Sequence, residues 1–355
     1  MKFPDNVMRS VLLKRQLLSG VEDERSVYLV TLSVPNENCI FEPGDVVFIY
    51  PQNNAIFVEK LLALMQLPGE EPIVDADTKQ ILTLYEALSS HFELLLKPSI
   101  FATLPSRDGG DFWMALTSLK NRCRTDFSAA LLCSWLKPMR PRAYSIASAY
   151  MQNPHVMELI VGLLTFKNVE GGIGEGLSSG FLCKRLRINE SLKIYVKSSH
   201  FKLPVDDTKP VIMVGPGTGI APFKAFLEAR LLSKATGHNW LFFGGRHRDV
   251  DFILEDFITY CQRENVLTRL DLAFSRDQEH KVYVQHKMME NASVLWEWLQ
   301  KGAYFYICGE AKSMAKDVES TLLKIIENCG HLNRTQAEDL LKMLKNTRRY
   351  QKDVY

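Results

Sequence analysis

The chain has 355 residues, 43 Lys and Arg against 41 Asp and Glu, with 46% hydrophobic and 24% charged. These proportions exclude a disordered chain and suggest a globular protein of two domains, at roughly 100–200 residues per domain. A net charge of +2 gives no global attraction to nucleic acid or to an anionic membrane, which leaves a local basic cluster and a small anion as the expected partnership.

Seven cysteines, Cys39, Cys123, Cys133, Cys183, Cys261, Cys308 and Cys329, are scattered with neither a C-x-x-C pair nor metal-ligand spacing. Reduced thiols, no metal and a cytoplasmic location are therefore expected. The opening MKFPDNVMRS has no signal-peptide pattern, and no apolar run approaches the ~18 residues of a membrane span.

Residues 7 to about 50 alternate in VMRSVLLKRQLL, SVYLVTLSV and, after the turn Glu42-Pro43-Gly44, GDVVFIYP. This predicts the first strands of an antiparallel barrel or sandwich. Between about 56 and 138 the spacing turns helical, with stripes of Val58, Leu61, Leu62, Met65 and of Ile81, Leu84, Tyr85, Leu88, punctuated by Pro68, Pro72, Pro98 and Pro105. A helical insertion of about 80 residues is expected there. Strand patterns resume at 142–146, 156–163 and 192–196, so the β domain closes around the insertion.

RPRAYSIAS carries Arg142, Tyr144 and Ser145 at a strand start. Alternation sends Arg142 and Tyr144 to one face and Ser145 to the other unless the strand twists or bulges. GGIGEGLSSGFL (171–182) is a glycine-rich loop entering an apolar helix, an arrangement suited to a pyrophosphate. An edge strand and a flexible hairpin remain the plainer readings of these two segments.

After about Pro204 the pattern changes. VIMVG, WLFFGG, LDLAFS and AYFYIC begin near 211, 240, 270 and 303, separated by amphipathic stretches. This alternation predicts a parallel sheet in a doubly wound α/β domain. In VIMVGPGTGIAPFKAFLEAR a buried strand runs through Gly215, Gly217, Thr218 and Gly219 into Pro222 and an apolar stripe of Phe223, Phe226, Leu227 and Leu231. Glycines let backbone N–H groups approach a pyrophosphate at a helix N-terminus. The spacing is G-x-G-x-G, distinct from the G-x-G-x-x-G of the ordinary dinucleotide fingerprint. A tight turn without a ligand has the same sequence signs.

The second strand of this domain ends Gly244-Gly245-Arg246, with no acid to hold a ribose hydroxyl. The third is followed by Ser275, Arg276, Lys281 and Tyr283, with Gln285 just beyond. Two cations and two hydroxyls suit a phosphate dianion, and Tyr283 suits an adenine face; the set favours NADPH over NADH, against the alternative of a solvated basic loop. Cys308 ends a buried strand, where a thiol is usually structural. Lys342, Lys345, Arg348 and Arg349 read as a solvated helix face. Asp353 and Tyr355 by themselves read as a frayed end. His247, His280 and His286 have no spacing that argues for metal or general-base work.

Taken in order, these motifs resemble the ferredoxin-NADP reductase-like module of the diflavin reductases over nearly the whole chain. The resemblance implies an antiparallel FAD-binding β-barrel with a helical insertion over 1–204, then a parallel-sheet NADPH-binding domain over 205–355. It implies an FAD phosphate contact at Arg142, a ring-stacking Tyr144 and Ser145 close to flavin N5. It further implies that Gly176, Leu177, Ser178 and Ser179 hold the FAD pyrophosphate and that Cys308 and Gly309 lie beside the nicotinamide. From TRRYQKDVY it carries an acid role onto Asp353 and a flavin-covering ring onto Tyr355, where the family most often has Trp.

Gly217, Thr218, Arg246, Ser275, Arg276, Lys281, Tyr283 and Gln285 complete the expected cofactor-binding set. The implied activity is hydride transfer from NADPH to FAD, followed by electron transfer to an FMN-binding flavodoxin-like domain or to an iron-sulfur or haem redox protein. Within the family, RPRAYSIAS, GLSSGFL, GAYFYICGEAKSM and NTRRYQKDVY look most similar to the NADPH-dependent diflavin oxidoreductases of cytosolic iron-sulfur assembly. Donors of the cytochrome P450 reductase and methionine synthase reductase kind are the alternatives, with a nucleotide-binding regulator lacking turnover as a third. No flavodoxin-like segment precedes Met1, so either an isolated module or a single-flavin reductase is expected, with FMN only on a partner domain.

Overall fold

The computed structural model describes residues 6–20, 25–74, 80–94, 128–167 and 173–355. Most of the second half of the expected insertion, including Pro98, Pro105 and Cys123, lies outside these residues, as do Gly171 and Gly172.

Six strands form an antiparallel sheet in the order Arg142–Ser145, Val46–Tyr50, Ser191–Lys197, Met8–Leu17, Val27–Ser33, Val156–Gly162. Met8–Leu17 pairs Arg9 with Lys193, and Val27–Ser33 pairs Leu29 with Ile160. The two outer strands meet where Ile146 bridges Leu159, which removes the open edges that a flat sheet would expose. Barrel closure therefore rests on the residue immediately after Ser145.

Contacts divide the chain into two compact units, and neither is one continuous segment. The first comprises Met1–Leu13, Phe48–Ala143 and Leu163–Tyr195. Its helices Ala55–Met65, Leu84–Ser90 and Ala129–Trp135 share a core of Val58, Leu61, Met65, Leu84, Leu88, Leu132 and neighbours. The segment read as helical also carries short strands. Pro72–Val74 pairs with Ile81–Thr83, and Phe92–Glu93 pairs with Lys137–Pro138. Ile81, expected on a helical stripe, is a 74% exposed strand residue. The helix begins only at Leu84, because Thr83 and Glu86 form a reciprocal capping box in which each side chain holds the other's backbone N–H.

The second unit comprises Lys14–Val47, Tyr144–Gly162 and Val196–Tyr355. Its parallel sheet has five strands in the order Arg269–Phe274, Asn239–Gly245, Val211–Val214, Tyr304–Gly309, Tyr350–Val354. Side chains alternate between two cores. Ile212, Val214, Trp240, Phe242, Phe305 and Ile307 face one core, shared with Val318 and Leu322. Val211, Met213, Leu241, Phe243, Tyr306 and Cys308 face the other, with Phe223 and Phe226. Burial on both faces explains why these strands read as unbroken apolar runs.

The fifth strand was not expected. Tyr350–Val354 pairs in parallel with the preceding strand, Cys308 opposite Asp353, so the segment is not a frayed tail. The basic run before it is a solvated helix face only in part, with Lys342 and Lys345 exposed on a helix. The helix Arg334–Asn346 ends before Arg348 and Arg349, and Arg349 donates from Nη2 to Leu299 O at 2.5 Å and from Nε to Ala303 O at 3.2 Å.

Glu319 fastens this last strand. It accepts from Lys345 Nζ at 2.7 Å, from Lys352 Nζ at 2.8 Å and from Tyr350 Oη at 2.6 Å. Burial alone would raise its carboxyl, but those three donors hold it down at about 2. A depressed folded-state value stabilises the protein above the ordinary 4.5 and loses that contribution as pH falls toward 2. Glu319→Gln is therefore expected to lower the melting temperature at pH 6. The gap from wild type should close progressively between about pH 4.5 and 2 in a calorimetric series; a gap independent of pH would contradict this account.

Candidate active site

The strand order reverses between Val211–Val214 and Tyr304–Gly309, and the crevice beyond the carboxyl ends at such a point is where open α/β sheets place ligands. Here Val214 leads through Gly215 and Pro216 into a 3₁₀ turn, Gly217–Ile220, and then the helix Ala221–Leu232. Gly217 has φ +56°, a left-handed conformation that strains any side chain, and nothing lies within 4 Å of where its Cβ would be. The turn thus presents bare backbone to open space. Neither the turn nor the helix start has a side-chain cap, so the first N–H groups of each have no side-chain acceptor from the cap position.

That space is a cleft of about 800 Å³ within the second unit. Of the expected nucleotide residues, Gly217, Arg246, Ser275, Arg276, Lys281, Tyr283 and Gln285 line it. Thr218 is engaged elsewhere, its Oγ1 lying 2.7 Å from Tyr355 Oη. Sequence reasoning missed Arg25, Asp251, Glu310 and Asp317, which also line the cleft. Arg25 comes from a distant N-terminal segment and has no local pattern to mark it. The second strand itself ends at Gly245 without an acid, but Asp251 of the helix Arg248–Asp251 reaches that end. It returns from six residues beyond Gly245, and its Oδ2 accepts the backbone N–H groups of Arg246 and His247, both at 2.8 Å.

At the ends of the fourth and fifth strands three predicted residues come together. Ser145 Oγ donates to Asp353 Oδ2 at 2.6 Å, and Cys308 Sγ lies 3.9 Å from the same oxygen. Cys308 is fully buried. Burial pushes its thiol well up, and the adjacent Asp353 carboxylate pushes it further. The thiol is thus a protonated donor, poorly suited to act as a nucleophile. Tyr355 is held by its backbone, its N–H donating to Gly309 O at 3.1 Å and its C=O accepting from Ala311 N at 3.0 Å. The residue as a whole is 65% exposed. Tyr144 is half-buried at the end of the barrel strand.

In the first unit, Arg142 Nη1 donates to Glu93 Oε1 at 2.9 Å and to Arg140 O at 2.7 Å. Gly176 precedes the short helix Leu177–Gly180, which likewise starts without a side-chain cap. A Cβ at Gly176 would meet Ser179 Oγ at 2.6 Å. Ser178 and Ser179 are buried, and Ser179 Oγ accepts from Leu164 N at 3.1 Å. Gly174 and Glu175 belong to a hairpin strand, Ile173–Glu175, paired with Thr165–Lys167. The hairpin and the loop-to-helix readings of this segment therefore describe its two successive halves.

The Cys308 environment has a chemical signature. Alkylation of Cys308 by iodoacetamide, followed by peptide mass spectrometry, is expected to stay slow at pH 9, where an ordinary thiol is mostly ionised. Cys329, which is half-buried, should react much faster. Asp353→Asn should speed the reaction at Cys308 by removing the adjacent charge. Equal rates at Cys308 and Cys329 would contradict the assigned environment.

Residues 213–320 match the family model described as an oxidoreductase NAD-binding domain. The sulfite reductase [NADPH] flavoprotein alpha-component of Yersinia pestis bv. Antiqua is 36% identical over 360 residues, covering 96% of this chain and 59% of that protein. Those of Cronobacter sakazakii and Escherichia coli O9:H4 are each 37% identical, covering 99% of the chain and 61% of the relative. The chain thus spans about three fifths of the length of the curated relatives it matches. In its ordered motifs, its sheet order and identity sustained along nearly all its length, the chain is similar to the ferredoxin-NADP reductase-like module of the diflavin reductases.

Proposed function

We propose that the chain is an NADPH-dependent flavoprotein oxidoreductase that binds FAD and passes electrons to a separate redox partner. The observation that carries this is the meeting, at one end of one parallel sheet, of a nucleotide-sized cleft rimmed by Ser275, Arg276 and Lys281 with the Ser145–Asp353–Cys308 cluster. On this reading residues 1–204 serve the flavin and 205–355 the nicotinamide nucleotide.

The residues fit NADPH. The bare turn at Gly217 offers backbone N–H groups to a pyrophosphate; Ser275, Arg276 and Lys281 would take the 2′-phosphate, Tyr283 the adenine, and Arg246 and Gln285 the cleft wall between them. They also fit FAD. A Cβ at Gly176 would crowd Ser179 Oγ, and the uncapped helix start there suits a pyrophosphate; Arg142 would take phosphate, Tyr144 and Tyr355 the ring faces. Bound there, NADPH would supply hydride chemistry and FAD the change to one-electron transfer. The protein's own part is orientation and proton placement. Ser145 keeps its hydroxyl proton directed at Asp353 Oδ2, and the raised Cys308 thiol keeps a second proton beside that oxygen.

The acceptor we propose is a flavodoxin-like FMN-binding domain, or else an iron-sulfur or haem protein. The relatives named as components of a sulfite reductase support the second kind, and the motif resemblance supports a part in cytosolic iron-sulfur assembly. A cytoplasmic location rests on the six described cysteines, all free. Among the described residues, no helix is long and apolar enough to cross a membrane.

The visible spectrum and extracted flavin of the purified chain test this reading: one FAD, no FMN, and ferricyanide reduction with NADPH are expected. A colourless chain that FAD cannot reconstitute, or equimolar FMN, would overturn it. Arg276→Ala should raise KM for NADPH about 10- to 100-fold and leave NADH nearly unchanged, since hydrogen bonds to charged groups contribute roughly 1.5–3 kcal/mol. Equal losses would assign Arg276 to the fold instead. A chain ending at Val354 should narrow the preference for NADPH over NADH in steady-state kinetics, because only NADPH has a phosphate anchor to help displace the Tyr355 ring. Unchanged discrimination would remove Tyr355 from the site.

A further inference from the structure

Asp251 lies at the end of the four-residue helix Arg248–Asp251 and reaches back to the strand end at Gly245. A Cβ on Gly245 would lie 2.6 Å from the Cβ of Asp251, so the aspartate occupies the place where a side chain at 245 would begin. Its Oδ2 gathers the N–H groups of Arg246 and His247, each at 2.8 Å. The turn so fixed continues into the neighbouring strand end. Ser275 N donates to Gly245 O at 3.0 Å, and Arg276 N donates to Arg246 O at 2.9 Å. Asp277 closes the far side, with Oδ2 accepting from Arg248 N at 2.9 Å and Oδ1 lying 3.0 Å from His247 Nδ1.

We propose that Asp251 is a positioning residue for recognition of the 2′-phosphate, an inference that rests on the NADPH reading above. An acid at the end of the second strand is the group that holds ribose hydroxyls in NAD-binding sheets. Here the acid that reaches this place is turned onto the chain's own backbone, and the backbone it fixes carries the hydrogen bonds that set Ser275 and Arg276. The same residue type therefore serves the opposite coenzyme. Two N–H donors on one carboxylate oxygen also reduce the repulsion a dianion would meet there.

The test is calorimetric titration of the full chain with adenosine 2′,5′-bisphosphate and with 5′-AMP. Wild type should prefer the bisphosphate. Asp251→Ala should lower that preference about tenfold or more while 5′-AMP affinity stays within about twofold, and Asp251→Asn, which keeps an acceptor oxygen, should restore most of it. A merely structural role would weaken both ligands together. An unchanged ratio, an equal loss for both ligands, or tighter bisphosphate binding in Asp251→Ala overturns the proposal, the last by showing that the carboxylate repels. Should Asp251→Ala fail to fold, Asp251→Asn and Asp277→Ala are read by the same ratio, with Asp277→Ala expected to lower it and Asp251→Asn to keep it. A wild type that does not distinguish the two ligands overturns the NADPH reading itself, a result separable from the others because it needs no variant.

Discussion

The crossing of Gly219 over the end of the fourth parallel strand sets the arrangement of everything around it. A Cβ on Gly219 would lie 2.2 Å from the carbonyl oxygen of Cys308, so the turn after the first strand must be bare where it meets its neighbour. That closeness follows from the strand order, in which the first and fourth strands lie side by side. Gly217, two residues earlier in the same turn, faces the open cleft. On the strand itself, Cys308 sends its side chain to the buried face where Asp353 stands opposite it. One backbone contact thus sets the cleft-facing turn and the proton-bearing cluster within a few residues of each other.

Much of this architecture is legible in the chain because burial on both faces writes four of the five parallel strands as apolar runs. The fifth, Tyr350–Val354, is YQKDV. Its apolar content is too small to stand out, since only Tyr350 is fully buried while Glu319 secures Lys352 and the Tyr350 hydroxyl from the side. A strand recruited by one carboxylate at long range leaves no periodic trace. Asp251 was unreadable for a related reason. A four-residue helix turns it back onto a strand end that the linear sequence passes six residues earlier, and only the steric demand for glycine at 245 hints at it. Ile81 misled in the other direction, where a capping box moved the helix start past a residue with the right helical spacing.

The segment carrying Ser145 is held by polar groups taken out of water. Lys224 Nζ donates to Glu158 Oε2 at 2.7 Å and also to Glu228. Glu228 in turn accepts from Ala149 N at 2.8 Å, and Ser148 Oγ accepts from Glu158 N at 3.0 Å. Burial alone would lower the Lys224 ammonium, but its two carboxylates more than reverse that and raise it. A buried ion pair adds little net stability relative to apolar packing, because desolvation offsets much of the attraction. Its contribution here is registration, because it ties the strand after Ser145 to the same helix that begins at the Gly217 turn.

Two of the three carboxylates that line the cleft share one device. Asp251 and Glu310 line it with Asp317, and an uncompensated carboxylate would repel any phosphate there. Each of the first two is covered by the chain's own backbone. Asp251 holds the N–H groups of Arg246 and His247, while Glu310 holds those of Lys312, Ser313 and Met314, with the Ser313 hydroxyl besides. Hydrogen bonds from Ser313, first of all, keep the Glu310 carboxyl down at about 2. The acids thereby act as loop and helix fasteners whose charge is partly met by oriented N–H dipoles, and the cleft's outward donors are left to Arg276 and Lys281. A chain with a net charge of only +2 can in this way present a locally cationic cleft, because the decisive quantity is where its carboxylates are fastened and not how many it has.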